Sequence, residues 1–237
     1  MEEHIEPGTL PPGKKACIAL TSWKKRIGTV GLTIFNLFDT CGPEFHIVLT
    51  LAEEEFPQKE RELPRDLLIM KAAGMFEILW VKRNYKSFKK WLFCSMKYPS
   101  MPIITADDDC IYKYNYANEL YSHLIGDKTC VTYWCDRFRR TQYFNTAGYA
   151  TCYSPYYFEN VAQYLKPELI DLFNEDDMLY VALRYILKRP GCICLNKSYK
   201  DVVVPHNEIE PLHDLYKGRS AKERDAMIDA MIALLKQ

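Results

Sequence analysis

Short apolar runs recur along the first half of the chain, and stretches with helical spacing of apolar residues lie between them. Runs this short, with few polar positions, are typical of strands buried on both faces. The predicted strands are Ala16–Thr21, Phe45–Leu51, Phe76–Trp80 and Pro102–Ala106. The predicted helices between them are Gly28–Asp39, Arg61–Leu68 and Ser87–Lys97. This alternation predicts an α/β fold with a parallel sheet.

The second half of the chain has a less regular pattern. Its predicted helices are Asn118–Leu124, Asp177–Lys188 and Ser220–Leu235, and its predicted short strands are Cys130–Trp134, Cys192–Leu195 and Val202–Val204. The aromatic stretch Tyr143–Tyr157 is predicted to be a loop. Ser220 and Glu223 form a capping box at the start of the last helix. The chain has no internal repeat or obvious linker, which favours a single domain over residues 1–237.

The charge and the N-terminus exclude several classes of protein. Lys plus Arg and Asp plus Glu both number 31. That balance argues against a nucleic-acid partner, because such proteins must neutralise many phosphates. The acidic start Met1–Pro7 resembles neither a signal peptide nor a transit peptide, and no apolar stretch is long enough to span a membrane. We therefore expect a cytoplasmic protein with at most peripheral contact with a membrane.

The nine cysteines are scattered through the sequence. Cys17, Cys94, Cys130 and Cys152 lie in apolar runs, where a free thiol behaves as a small buried hydrophobe. The close pairs Cys130/Cys135 and Cys192/Cys194 do not reproduce a zinc framework. We expect these cysteines to be reduced, in an intracellular compartment.

The most specific chemical signal is Asp107, Asp108 and Asp109, directly after the fourth predicted strand. Open α/β sheets bind ligands at this end of their strands, and adjacent carboxylates repel one another unless a cation is present. The pattern therefore predicts metal or phosphate chemistry, whereas the plainer interpretation is a solvated acidic turn.

Two further segments are candidates for the same site. Asn174–Asp177 begins a predicted helix, where acidic residues also favour the helix dipole without any function. A carboxylate there would also suit a general base. The segment Leu20–Arg26 combines hydroxyls and basic side chains after the first strand and could hold a nucleotide. The sequence contains neither G-x-G-x-x-G nor G-x-x-x-x-G-K-[ST], so it supports neither a dinucleotide-binding fold nor a P-loop.

Five segments carry recognisable motifs: Ile18–Trp23, Arg26–Val30, Leu51–Pro57, Lys86–Lys90 and Ile104–Tyr112. They resemble motifs of bacterial GT-A-type glycosyltransferases of the lipopolysaccharide or capsule kind. The resemblance spans about residues 16–190. It implies a GT-A-like single domain, with a mostly parallel central sheet flanked by helices and a C-terminal helix. Residues 16–110 would form the nucleotide-binding half, and residues 111–237 the acceptor side with the C-terminal helix.

The resemblance also implies an activity: transfer of a hexose from a nucleotide sugar, a UDP-sugar, to a hydroxyl of a surface glycan. The acceptor would be a glycan or a lipid-linked glycan, and the reaction would be inverting. Mn²⁺ (or Mg²⁺) would be bound by Asp107 and Asp109. An octahedral Mn²⁺ needs further ligands, and His206 is the candidate, with His213 as its rival; the plainer interpretation is that His206 ends a turn.

The remaining roles follow from the same resemblance. Asp176, or Asp177 beside it, would deprotonate the acceptor hydroxyl. The nucleotide-sugar-binding residues would be Thr21, Ser22, Trp23, Arg26, Lys89, Asp107 and Asp108.

Two other functions fit parts of the sequence. Asp107 and Asp109 also fit the nucleophile loop of a phosphohydrolase, although that loop normally follows the first strand of its fold. A non-catalytic carbohydrate-binding module could instead use the aromatic residues. Release of UDP from a UDP-sugar would indicate the transferase, phosphate release from a monoester the hydrolase, and sugar binding without nucleotide or metal the binding module.

Overall fold

The computed structural model describes residues 3–138, 142–144, 150–172, 176–206 and 220–237. Three candidate site residues, Asn174, Glu175 and His213, lie outside these ranges.

The described strands follow the apolar runs closely in the first half of the chain. In chain order they are β1 Ala16–Thr21, β2 Phe45–Ala52, β3 Glu77–Val81, β4 Ile103–Thr105, β5 Cys110–Tyr112, β6 Cys130–Thr132, β7 Asp136–Phe138, β8 Gln142–Phe144, β9 Thr151–Tyr153, β10 Ile193–Cys194 and β11 Val203–Pro205.

The described helices agree with most of the predicted ones. They are α1 Val30–Cys41, α2 Arg65–Ala72, α3 Leu92–Lys97, α4 Tyr116–Ser122, α5 Pro167–Leu172, α6 Asp176–Ile186, α7 Tyr199–Val202 and α8 Ala221–Leu235. The capping box between Ser220 and Glu223 is present at the start of α8. The predicted helix Ser87–Lys97 is divided into a 3-10 turn, Lys86–Lys90, and α3, with Trp91 between them.

Seven of these strands form one sheet, in the order β10-β6-β9-β4-β1-β2-β3. The pairs β4–β1, β1–β2, β2–β3 and β10–β6 are parallel, whereas β9 runs antiparallel between β4 and β6. Helices pack on both faces, and the predicted α/β fold with a mostly parallel sheet is confirmed. Two small antiparallel pairs, β5–β11 and β7–β8, lie beside it.

The prediction of a loop over Tyr143–Tyr157 was wrong for its central part. Thr151–Tyr153 is β9, which is fully buried and pairs with strands on both sides. A strand of three residues is too short to show a period in the sequence, and its neighbours in the sheet, not its own pattern, make it a strand.

Two apolar cores lie on the two faces of the sheet. Alternate residues of β1 point into them, since strand side chains alternate between faces. Cys17 and Ala19 face the core that contains Trp91, α6 and α8. Ile18 and Leu20 face the core that contains α1 and α4. None of the helices in the described ranges is long and apolar enough to span a membrane.

The expectation that all the cysteines are reduced was wrong, because Cys130 forms a disulfide with Cys192. The two residues lie 62 positions apart, but β6 and β10 are neighbours in the sheet and bring their Cα atoms to 4.6 Å. Cys17, Cys94 and Cys152 are free and buried, as expected.

The end of the sheet opposite the candidate site contains a compact ionic cluster around Glu77, the first residue of β3. Its carboxylate accepts hydrogen bonds from the Tyr98 hydroxyl at 2.6 Å and from Lys97, and its Oε2 lies 2.8 Å from His46 Nε2. Burial alone would raise the pKa of Glu77, but these partners outweigh it and lower the pKa to about 2.

Candidate functional site

The candidate site lies at the carboxyl ends of β1 and β4. These strands are parallel neighbours, so the loops after them, Ser22–Arg26 and Ala106–Asp109, lie side by side. The Ala106 amide donates to the Ala19 carbonyl at 3.0 Å and continues the pairing to the edge of the sheet. The structure thus brings together Asp107–Asp109 and Leu20–Arg26, two of the three segments that the sequence predicts to form one site.

Asp108 and Asp109 are held by the loop after β1. The Ser22 hydroxyl donates to Asp108 Oδ2 at 2.5 Å. The Arg26 guanidinium lies 2.5 Å from Asp109 Oδ2 and 3.3 Å from Asp108 Oδ1. Asp108 is only 4% exposed, and burial raises its pKa, against the attraction of Arg26 and the hydrogen bond from Ser22. Asp108 therefore joins the two loops and has little surface left for a ligand.

Asp107 faces a different cation. Lys90 Nζ lies 2.5 Å from Asp107 Oδ1, and the Asp107 amide donates to the Tyr112 hydroxyl at 2.6 Å. Burial, and repulsion from Asp109, raise the pKa of Asp107 to about 6, against the opposing attraction of Lys90. Asp107 remains partly exposed, so a ligand can reach its carboxylate.

Asp107, Asp109 and Cys110 form the group of candidate metal ligands in the described residues. One ligand atom from each lies within 4.8 Å of the others. The two carboxylates supply the oxygen ligands that Mn²⁺ and Mg²⁺ prefer, while the Cys110 thiol is a softer ligand than either ion favours. The donor set fits a hard divalent cation held by two carboxylates.

The local charge points the same way. The three aspartates of the loop after β4, together with Asp176, carry four negative charges, against the two positive charges of Arg26 and Lys90. The remaining charge of about −2 is one that a divalent cation would balance.

Asp176 is the first residue of α6, and its charge acts on Lys90. It is 7% exposed, and the indole nitrogen of Trp91 donates to its Oδ2 at 3.3 Å. Asp177 is half-buried, and its Oδ1 accepts from the Met178 amide at 2.9 Å. Asp176 is thus connected to the site through Trp91, which follows Lys90 in the sequence.

His206 lies at the end of β11, where its amide donates to the Asp109 carbonyl at 2.9 Å. Its imidazole Nε2 lies 2.8 Å from the hydroxyl oxygen of Thr33, and that hydroxyl in turn lies within hydrogen-bond distance of the carbonyls of Asp108, at 3.1 Å, and Cys110, at 2.9 Å. The ring is not part of the ligand group formed by Asp107, Asp109 and Cys110. Its Nδ1 is buried and has no hydrogen-bond partner among the described residues.

Three residues proposed to bind the nucleotide sugar have other contacts in the structure. The Thr21 hydroxyl donates to the Thr50 carbonyl at 2.7 Å. Trp23 is half-buried beneath the Lys25 ammonium, which lies 5.1 Å from its ring centre. Lys89 is 1% exposed and contacts other residues of the protein.

The ammonium of Lys89 contacts Glu55 Oε2 at 2.8 Å, Asn84 Oδ1 at 2.9 Å and the Ser22 carbonyl at 3.4 Å. Burial lowers its pKa, against the attraction of Glu55. A role for Lys89 in diphosphate binding stays a prediction, and in this structure Lys89 fixes the loop of Ser22.

Sequence reasoning missed Lys90, Trp91 and Thr33 as parts of the site. Lys90 and Trp91 follow Lys89 directly, so the basic run was visible. Their partners, however, lie 17 and 85 positions away and become evident only in the fold.

No protein-family profile and no curated protein matches the sequence. Several solved structures resemble the fold. Glucosyl-3-phosphoglycerate synthase from Mycobacterium tuberculosis, in complex with phosphoglyceric acid, aligns with a TM-score of 0.51 and 11% identity, over 93% of this chain and 81% of that one. The predicted GT-A-like fold is confirmed.

Two other structures align less closely. The mannosyltransferase PcManGT from Pyrobaculum calidifontis, in complex with GDP-Man and Mn²⁺, aligns with a TM-score of 0.48 and 9% identity, over 98% of this chain and 73% of that one. The glycosyltransferase GlyE from Streptococcus pneumoniae aligns with a TM-score of 0.43 and 13% identity, over 76% and 45% of the two chains.

Proposed function

We propose that this protein is a metal-dependent glycosyltransferase that transfers a hexose from a UDP-sugar to a hydroxyl of a surface glycan, with inversion. The observation that carries the proposal is the arrangement at one edge of a GT-A-like sheet. Asp107 and Asp109 lie there as a pair of accessible carboxylates, and the buried Asp176 reaches the same edge through Trp91. The pair Asp107 and Asp109 suits a metal ion that binds a diphosphate, and Asp176 suits the role of proton acceptor.

The proposed donor side is formed by the loops after β1 and β4. Asp107 and Asp109 would hold Mn²⁺ or Mg²⁺, which when bound offsets the negative charge that develops on the leaving diphosphate. Arg26 contacts Asp109 and Asp108 and would bind the phosphates of the same diphosphate. The other proposed nucleotide-sugar contacts are Thr21, Ser22, Trp23, Lys89 and Asp108.

The proposed acceptor side is centred on Asp176. Its carboxylate would take the proton of the acceptor hydroxyl while that oxygen bonds to the anomeric carbon and the bond to the diphosphate breaks. Burial against Trp91 fixes this carboxylate, which favours Asp176 over Asp177. The acceptor would be a glycan or a lipid-linked glycan of the lipopolysaccharide or capsule type, as the motif resemblance implies.

His206 is proposed as a further metal ligand through Nδ1. The support is that this nitrogen is buried without a described partner, while Nε2 is fixed by Thr33. We also propose that residues 1–237 act as one glycosyltransferase domain, with residues 16–110 on the nucleotide side and residues 111–237 on the acceptor side.

A thermal-shift screen tests the function directly. Nucleotide sugars are screened with and without Mn²⁺, because a ligand at about 100 times its dissociation constant adds about 2.7 kcal/mol to stability. In a chain of this size that raises the melting temperature by about 5–10 °C. We expect a UDP-sugar with Mn²⁺ to give this shift, and Asp109→Asn to abolish it.

The matched control is Asp127→Asn, an exposed aspartate on a loop, which should keep the shift. Product analysis then separates the functions. UDP released from the stabilising donor supports the transferase, phosphate released from a monoester supports a phosphohydrolase, and binding without turnover supports a carbohydrate-binding module.

A further inference from the structure

Three consecutive residues, Lys89, Lys90 and Trp91, each contact a carboxylate from a different part of the fold. They lie at the end of the 3-10 turn Lys86–Lys90 and at the residue that follows it. Their acidic partners are Glu55 after β2, Asp107 after β4 and Asp176 at the start of α6. This short segment therefore joins the two sides of the proposed active site.

The ammonium of Lys90 pairs with Asp107 and also feels the charge of Asp176. Its side chain is 8% exposed, and Nζ lies 2.5 Å from Asp107 Oδ1. Burial by itself would lower the pKa of Lys90, but the charges of Asp107 and Asp176 outweigh it and hold the pKa above its usual value. Lys90 is thus a permanent cation that both carboxylates attract.

Trp91 fixes the distance between this cation and α6. Its indole donates to Asp176 Oδ2. Its ring stacks on Phe158 at 5.7 Å and packs against Tyr180, a residue of α6 itself, at 4.8 Å. Trp91 is fully buried, so the backbone of Lys90 cannot shift relative to α6 without disrupting this aromatic cluster.

We propose that Lys90 is a positioning residue: its ammonium pairs with Asp107 while the next residue, Trp91, binds Asp176, and this segment thereby holds the proposed base in register with the donor. This inference rests on the proposed function for its catalytic part. Its electrostatic part, the coupling of Lys90 to Asp176 across Trp91, stands on the contacts of Lys90 with Asp107 and of Trp91 with Asp176.

The electrostatic part is tested by a double-mutant cycle between Lys90→Met and Asp176→Asn, with urea unfolding followed by circular dichroism. Loss of Asp176 should cost less when Lys90 is already absent, because Asp107 and Asp176 then repel each other. We expect the unfolding equilibrium constant of the double variant to depart at least tenfold from additivity. Additive effects overturn the proposal.

A titration with Mn²⁺ alone gives a readout that a merely structural lysine would not produce. Lys90→Met removes a positive charge beside Asp107, so the affinity for Mn²⁺ should rise at least threefold. A weakened affinity in the folded variant overturns the proposal. Lys90→Arg keeps the charge and should leave the affinity within twofold, and it serves as the second variant if Lys90→Met folds poorly.

The matched control is Lys97→Met, which removes a lysine that pairs with Glu77 at the opposite end of the sheet. It should be additive with Asp176→Asn and leave the Mn²⁺ affinity unchanged. A non-additive control would mean that the cycle reports general destabilisation, and would overturn the proposal.

Transfer kinetics test the catalytic part. Lys90→Met should lower kcat at least 30-fold with KM for the donor within threefold, and Lys90→Arg should recover at least a tenth of the activity. An unchanged kcat overturns the positioning role. If the wild-type protein transfers no sugar at all, the proposed function fails, while the cycle and the titration still decide whether Lys90 is coupled to Asp176 and Asp107.

Discussion

Replacing Arg26 with Gln tests how the acidic loop after β4 is stabilised. Arg26 is the cation that contacts both Asp108 and Asp109. Asp108 is almost completely buried and would keep only the hydroxyl of Ser22 as a described hydrogen-bond partner for its carboxylate. Asp109 is 20% exposed and can be hydrated in part. The variant therefore leaves one buried carboxylate without its counter-ion.

The expected size of the effect follows from that burial. Removing one partner of a buried ion pair costs about 3–5 kcal/mol. The lower end applies here, since Asp109 reaches water, so we expect a loss of about 3 kcal/mol. For a chain of 237 residues this lowers the melting temperature by about 6–12 °C.

Mn²⁺ should restore much of the lost stability. In the variant the three aspartates lack a competing guanidinium, so a cation bound between Asp107 and Asp109 meets a more negative site. At about 100 times its dissociation constant it would add about 2.7 kcal/mol, close to the amount lost. The increase in melting temperature caused by Mn²⁺ should therefore be larger in Arg26→Gln than in the wild-type protein.

The assay is a thermal melt with and without Mn²⁺, and Arg83→Gln is the matched control. Arg83 pairs with Asp171 near the surface, where the two side chains are 33% and 54% exposed. Its loss should shift the melting temperature by less than about 3 °C, with the same Mn²⁺ effect as the wild-type protein. A Mn²⁺ effect that is equal or smaller in Arg26→Gln would refute the competition between Arg26 and the metal.

Three further predictions follow from the contacts described above. Asp176→Asn should lower turnover at least 100-fold and keep UDP-sugar binding, whereas Asp177→Asn should keep both; the reverse pattern would assign the base to Asp177. His206→Ala should weaken Mn²⁺ binding in the presence of UDP at least fivefold, and an unchanged affinity would remove His206 from the metal site. Because the pKa of Glu77 is depressed to about 2, its carboxylate stabilises the fold above about pH 4.5 and loses this effect as the pH falls towards 2. The difference in the free energy of unfolding between the wild-type protein and Glu77→Gln, measured with urea, should become smaller as the pH falls over that range. A difference independent of pH would contradict the low pKa of Glu77.

The central strands could be predicted almost to the residue, for a physical reason. β1, β2 and β4 are parallel strands covered on both faces, so nearly all of their positions are apolar and the run itself marks the strand. β9 is equally buried but has only three residues. Its position depends on pairing with β4 and β6, which no local pattern encodes.

The candidate site also has one part that the sequence predicts and one part that only the fold determines. The run Asp107–Asp109 could be recognised because three acidic residues after an apolar strand have few structural reasons to occur together. The counter-ions could not be assigned, because basic residues are frequent in the sequence and only the fold selects Arg26 and Lys90. The order of the strands determines which loops become neighbours, and the pairs of opposite charge depend on that order.

The disulfide was missed for a related reason, since Cys130 and Cys192 lie in ordinary apolar segments and meet only when β6 and β10 pair. Its contribution can be worked out from the loop that it closes. A separation of 62 residues corresponds to about 4 kcal/mol of lost freedom in the unfolded chain.

Cys192→Ser should therefore lower the melting temperature by about 8–16 °C. Cys194→Ser, which removes a free and half-buried thiol two residues away, is the matched control and should have a small effect. A reducing agent should destabilise the wild-type protein and the control to a similar extent, and should leave Cys192→Ser unchanged, because that variant has no bond between these residues to lose. If the native protein is as stable with reductant as without it, and alkylation labels Cys130 before unfolding, then β10 is held by strand pairing and by packing against Arg184, whose guanidinium lies 3.3 Å from the Cys192 sulfur.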